Sequence, residues 1–301
     1  MAAGLTTDVL SAKGKAGAID LVKDIGRPVS IRMVGKYFGF PGPSEDAMAR
    51  WSRATQDDIF YNLTRDPKKH DAAIAAGKEM AAYLPKLFAK RRKAKNLPQS
   101  KDAVSRLLAT HFVGTIGWDD QRMMSNVMGL LVGAVETNNA AIAQAVDEFL
   151  KRPDILAKAQ AAAAANDDAS FDALVWEVLR FHPINAFSTR VSVAPYTFGA
   201  GDKATTVPAG ALVLLATRSA MRDPEVVADP ETIKLDRPQW QYLHFGSGPH
   251  TCLGKYVGMM ITPAAIKEVL KLPKLRRADG AAGQVDFKGG AFPESFTVNF
   301  G

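Results

Sequence analysis

Two textures of hydrophobic and polar positions divide the chain. From Arg27 to about Phe181, apolar residues return at the spacing of a helix face turned toward a core. "RPVSIRMVGKYFGF" places Val29, Ile31, Val34 and Phe38 in this way. It predicts a short helix that ends where Gly and Pro punctuate "GFPGPSEDA". Ser44 is set to cap the next helix, which runs through Trp51 and Phe60, and further helices are predicted over 70–92 and 101–112. Asp119 opens a long helix to about Lys151 that is apolar nearly all round in its middle, so it crosses the interior. Pro153 starts another, closed by the alanine-rich "AKAQAAAAANDD". Ser170 is the predicted cap of a helix that reaches Phe181 and stops at Pro183. Beyond residue 187 the texture changes: "STRVSVAPYTF", "KATTVPAGALVLLAT" and "ESFTVNF" have strand composition between Gly and Pro turns, before and after a last helix over 253–272. Residues 1–18, small and polar, predict either a loose start or the end of a helix. No repeat or linker splits the chain, so residues 1–301 read as one domain, mainly α with small β-sheets.

Composition narrows the function classes. The 301 residues are 47% hydrophobic and carry a net charge of +7. The chain is long enough for a substantial core. The positive excess suits an acidic protein partner or an anionic cofactor. Without a recognition-helix pattern, zinc spacing or aromatic RNA-binding motif, nucleic acid is not an expected partner. The single cysteine excludes an intrachain disulfide framework and a Cys-based zinc cluster, and it fits a reducing cytosol. The first residues lack a basic segment followed by an apolar run, and no apolar stretch reaches the roughly 18 residues of a membrane span. The expectation is a cytoplasmic protein without membrane insertion.

That cysteine stands in "HFGSGPHTCLG", His244 to Gly254, just ahead of the last predicted helix. A cysteine at a helix start is either a small buried apolar residue or a thiolate. Unpaired N–H groups and the positive end of the helix dipole favour the ionised, metal-ligating form. Glycines beside it allow close backbone approach and leave flat space.

The stretch Phe245–Gly254 reads Phe-x-x-Gly-x-x-x-Cys-x-Gly and resembles the haem-ligand signature of the cytochrome P450 family at every fixed position: Phe245, Gly248, Cys252 and Gly254. "WEVLRFHP" supplies the family's Glu-x-x-Arg as Glu177 and Arg180, and "IKLDRPQW" its meander arginine as Arg237. The resemblance implies a structural lock of these three. In the long helix, "LLVGAVETNNAA" is similar to the family's oxygen-binding segment, implying that Glu136 and Thr137 deliver protons. Ala134 and Asn138 depart from the usual glycine and hydroxyl residue. Arg190 in "AFSTRVSV" and His250 match positions that bind haem propionates.

The resemblance runs from about Arg27 to the end and covers most of the family fold, without its usual N-terminal portion, for which residues 1–26 cannot substitute. It implies haem b with iron held by Cys252, and a monooxygenase that inserts one atom of O2 into a small apolar substrate. Electrons would come from a ferredoxin or reductase drawn to Lys255 and Lys267. The missing portion leaves open a fragment of a longer protein, a naturally short form or a degenerate copy, with a companion chain as one source of that portion. Met124, Val127, Met128 and Leu131, with Ile184, Ala186 and Phe187, are candidate pocket residues. The alternatives are an enzyme using peroxide or a fatty-acid hydroperoxide, and a non-catalytic truncated module.

Overall fold

The computed structural model describes residues 1–13, 17–95, 97–110, 114 and 117–301. In chain order these form α1 (Ala2–Lys13), β1 (Ala18–Asp20), α2 (Arg27–Met33), α3 (Glu45–Tyr61), α4 (Pro67–Arg92), α5 (Ala103–Ala109), α6 (Asp120–Lys151), α7 (Pro153–Ala165) and α8 (Asp168–Phe181). There follow β2 (Ser188–Val191), β3 (Tyr196–Phe198), β4 (Thr205–Val207), β5 (Leu212–Leu215), α9 (Thr217–Ala220), α10 (Lys255–Leu270), β6 (Arg276–Arg277) and β7 (Thr297–Asn299). The strands make three small antiparallel sheets: β1-β7-β6, β2-β5 and β3-β4.

The spine is α6, 32 residues and so about 48 Å long. The Asp119 carboxylate accepts from Arg122 N at 2.8 Å and caps its start, as predicted. Two apolar cores divide along it. Met123, Val127, Leu131 and Val135 pack with Phe40, Met48, Trp51, Leu84 and Phe88 from α3, α4 and the turn after α2. Farther along, Ala141, Ile142, Ala145, Val146 and Phe149 pack with Phe171, Val175, Val178, Ile266, Val269 and Phe296. Val127 and Leu131 are fully buried core, and half-buried Met124 and Met128 pack against it. Phe171, Leu174, Val175, Val178 and Leu179 form the one-sided stripe that makes α8 a core helix.

Several elements differ from the sequence expectation. Residues 2–13 are not loose: α1 lies on α10, burying Ala2, Leu5 and Thr6. The cap of α8 is Asp167, whose carboxylate accepts from Ser170 N at 3.1 Å. Ser170 itself is one turn inside, because Asp167 offers the stronger, charged acceptor. The segment after Arg27 is α2 followed by a π-helical turn over Val34–Phe38, and a second such turn, Leu21–Gly26, precedes it. The predicted helix over 101–112 is observed as α5, its last two positions lying outside the described residues. Short β1 and β6 have no signal of their own and exist through pairing with β7.

Candidate haem-thiolate site

The loop before α10 hangs from α8. The His244 Nε2–H donates to the Trp176 carbonyl at 2.9 Å, and the Phe245 ring meets Trp176 edge-on with centroids 5.3 Å apart. Burial pushes His244 down to about 4, so it is held as neutral imidazole. The Phe245 carbonyl then accepts from Cys252 N at 2.8 Å, closing the loop. Gly246 and Gly248 take positive φ, 69° and 65°, which lets the chain turn back on itself within this span. A Cβ on Gly258, in the first turn of α10, would lie 3.1 Å from the Phe245 ring, so any larger residue there would push the ring by a few tenths of an ångström.

Cys252 emerges exposed at the foot of α10, with Gly254 as the helix N-cap. Around it the surface is apolar: Leu253, Tyr256 and Met260, spaced along one face of α10, are 89%, 77% and 75% exposed. Among the described residues no three His, Cys, Asp or Glu side chains converge as a metal cage. A lone cysteine sulfur with open apolar surface beside it fits an iron whose equatorial ligands come with a macrocycle, and not a bare ion. The donor chemistry of the site therefore fits haem.

Glu177 and Arg180 on α8 lock the segment that leads to this loop. Both are fully buried, one helical turn apart, with Arg180 Nη2 to Glu177 Oε1 at 2.9 Å. Arg237 Nε donates to the same oxygen at 2.9 Å, while its other nitrogens bond the carbonyls of Ala228, Asp229 and Thr232. Arg180 reaches the Met221 and Thr232 carbonyls. Tyr242, a member not evident in the sequence, donates its hydroxyl to Glu177 Oε2 at 2.8 Å. Burial and that bond raise its own pKa. A buried carboxylate and two buried guanidiniums are tolerable only with this many hydrogen bonds.

On α6 the pair expected to deliver protons, Glu136 and Thr137, is more engaged than the sequence suggests. Glu136 is completely buried, held by Arg27 at 3.0 Å and Arg53 at 3.3 Å, and it accepts from Asn139 Nδ2 at 3.1 Å. Glu294 completes the cluster, 3.2 Å from Arg27 and 2.7 Å from Arg53. Arg27 can reach because Gly26 lies against α6: a Cβ there would come within 3.1 Å of Asn139 Cα and overlap its side chain. The Thr137 hydroxyl donates to the Gly133 carbonyl at 2.5 Å, one turn back along its own helix. Asn138, in place of a hydroxyl residue, turns away: its Nδ2 donates to the Ala134 carbonyl at 2.7 Å, and its Oδ1 accepts from Thr262 on α10.

The remaining candidates are solvent-facing. Arg190 on β2 is exposed and donates to the Thr189 carbonyl at 2.8 Å; His250 is exposed in the cysteine loop. Lys255 is partly exposed beside Cys252, but Lys267 is spent on Asp168 at 2.7 Å and Asn166 at 3.3 Å, so it offers little free charge. Ile184, Ala186 and Phe187 do line a cavity, of about 360 Å³. No helix among the described residues is long and apolar enough to cross a membrane.

A helical protein that presents one glycine-flanked cysteine, braced by a buried Glu–Arg–Arg lock, has the architecture of the haem-thiolate class. The family profile described as Cytochrome P450 matches residues 46–275, and the chain belongs to the cytochrome P450 family. Over 299 residues it is 25% identical to the cyclomarin C epoxidase CymV of Salinispora arenicola (strain CNS-205), covering 99% of this chain and 72% of that protein. It is 28% identical to the cytochrome P450 monooxygenase PikC of Streptomyces venezuelae over 89% of this chain, and spans only 59% of PikC. Among solved structures, CalO2 superposes with a TM-score of 0.84 at 23% identity over 100% of this chain and 72% of that one, a likeness of fold.

Proposed function

We propose that this chain is a cytoplasmic haem-thiolate monooxygenase acting on a small, largely apolar substrate. The observation that carries the reading is Cys252, an exposed thiol on a loop fixed by Trp176, Phe245 and the Glu177 lock. Bound haem supplies the oxygen-activating chemistry. The chain's own residues do the rest. Cys252 would hold the iron through its sulfur at the N-terminus of α10. Arg190 and His250 are suited to the propionates, and release of the Arg190 guanidinium from Thr189 would free it for a bidentate contact. Thr137 is suited to hold a proton once its hydroxyl leaves the Gly133 carbonyl. Glu136 can pass one only when an arginine pair opens. Lys255 offers positive charge for an acidic ferredoxin or a reductase. The apolar face of Leu253, Tyr256 and Met260 supports further polypeptide, from a companion chain, covering part of the site.

The test is the carbon monoxide difference spectrum of the reduced, haem-reconstituted protein. A strongly red-shifted Soret band that disappears in Cys252→Ala is the expected result; a histidine-like band in the wild type overturns the reading. Arg190→Ala and His250→Ala should each speed haem transfer to apomyoglobin without moving that band.

The engagement of Glu136 by two arginines favours one second reading, a peroxide- or fatty-acid-hydroperoxide-using enzyme, which needs no acid–alcohol relay. Peroxide-driven turnover without a reductase, indifferent to Thr137→Ala, would select it. Folded protein that binds no haem would leave a non-catalytic module.

A further inference from the structure

The cavity lined by Ile184, Phe187 and Phe287 also has polar groups in its wall, from Tyr61, whose hydroxyl donates to Asn185 Oδ1, and from Gln144, His182 and Arg218. Its volume of about 360 Å³ is in the range of small-ligand sites. Arg218 is fixed there by its backbone. Its N–H donates to the Ala186 carbonyl at 3.1 Å, and the neighbouring Thr217 hydroxyl bonds the Asn185 carbonyl at 2.6 Å. The start of α9 is thus stapled to the segment that carries the apolar wall. The guanidinium itself, exposed, has no hydrogen bond or ion pair among the described residues.

The nearby acids cannot neutralise it. Glu148 is paired with Arg152 and Lys151, and Asp147 with Lys151 at 2.6 Å and Arg277 at 2.7 Å. Burial first, then the positive charges of Lys151 and Arg218, hold His182 down to about 4, so it stays neutral. The Oε1 of Gln144 is buried without a donor; being an acceptor, it cannot be met by a carboxylate, which leaves the anion to the Arg218 guanidinium. Apolar side chains with one unpaired, backbone-anchored guanidinium are the chemistry of a site for an amphiphilic anion.

We propose that this cavity binds an organic carboxylic acid with an apolar body, its carboxylate on Arg218 and its hydrocarbon against Ile184, Phe187 and Phe287. This deepens the oxygenase reading by naming the substrate class and rests on it only for what happens to the bound acid.

The experiment is calorimetric titration of the haem-loaded protein with decanoate, methyl decanoate and decan-1-ol. Decanoate should bind more tightly than the two neutral analogues. Arg218→Gln should weaken decanoate about tenfold to a hundredfold, the range for losing a charge-assisted hydrogen bond, and leave the alcohol unchanged. Arg218→Lys should restore part of the difference. Equal affinities for acid and ester, no decanoate binding, or an Arg218→Gln effect shared by all three overturn the proposal. Heat of binding does not depend on iron ligation. Selective decanoate binding with a histidine-like carbon monoxide band would sink the oxygenase reading alone, and a thiolate band without selectivity would sink this one alone.

Discussion

The Thr262 hydroxyl donates to Asn138 Oδ1 at 3.1 Å in a contact buried between α10 and α6. It joins the helix that follows Cys252 to the position next to Thr137. Asn138, which departs from the family's usual hydroxyl, thus acts between helices and not in the groove beside Gly133.

Thr262→Val should leave the Asn138 carbonyl oxygen buried and without that donor. The expected loss is about 1–3 kcal/mol in urea unfolding, with the denaturant slope unchanged. Changing Asn138 to Leu as well should recover part of it, since the unmet polar group is then gone.

The Glu177 lock should respond more steeply. Glu177→Gln keeps the shape but removes the charge facing Arg180 and Arg237. A destabilisation of about 3–5 kcal/mol is expected, read as lower soluble yield and an earlier thermal transition. Tyr242→Phe removes one hydrogen bond to the same carboxylate and should cost about 1 kcal/mol.

The parts of the site legible in the sequence were those with short, fixed spacing. The Phe245–Gly254 loop and the Glu177–Arg180 turn are local geometry, so the residues themselves carry the pattern. The clamp on Glu136 was not legible. Arg27, Arg53 and Glu294 come from three separate segments, and only tertiary packing brings them together. Tyr242 had no spacing signal either. Lys267 looked like free charge because Asp168 lies 99 residues away in the chain. Of the two readings of the chain start, the helix holds and the loose one does not; α1 has only a weak apolar face, and its helix depends on α10 being there to cover Ala2 and Leu5.

That dependence can be measured. Leu5 is 5% exposed within the core that includes Val269 and Leu270. Leu5→Ala should therefore cost about 2–5 kcal/mol, whereas a loose start would make it silent. Denaturant unfolding of the two proteins side by side distinguishes them.

Acid should destabilise the protein before its carboxylates are reached. His182 and His244 are both held near 4, from an ordinary value of 6.5, chiefly by burial. Between those values the unfolded chain takes up protons that the folded one refuses. Stability therefore falls as pH drops from about 6.5 toward 4, by at most about 1.4 kcal/mol per pH unit from His244. Acids with lowered values, such as Asp102, add their loss only below their ordinary 3.8. Urea midpoints that stay flat from pH 7 to 5 would show that the histidines are not held neutral.

The β2-β5 ribbon has a consequence for the protein in solution. On the side away from β2, β5 pairs with no strand among the described residues, and Leu212, Leu214 and Leu215 are 58%, 53% and 40% exposed. Such a rim is a template for a strand from another molecule, and it has no lysine or proline within β5 to discourage pairing. Association through it would be held by amides and leucines, so it would grow with protein concentration and resist salt. A contact made by charge, such as the one proposed for an acidic donor at Lys255, would weaken as salt rises, so ionic strength would tell the two apart.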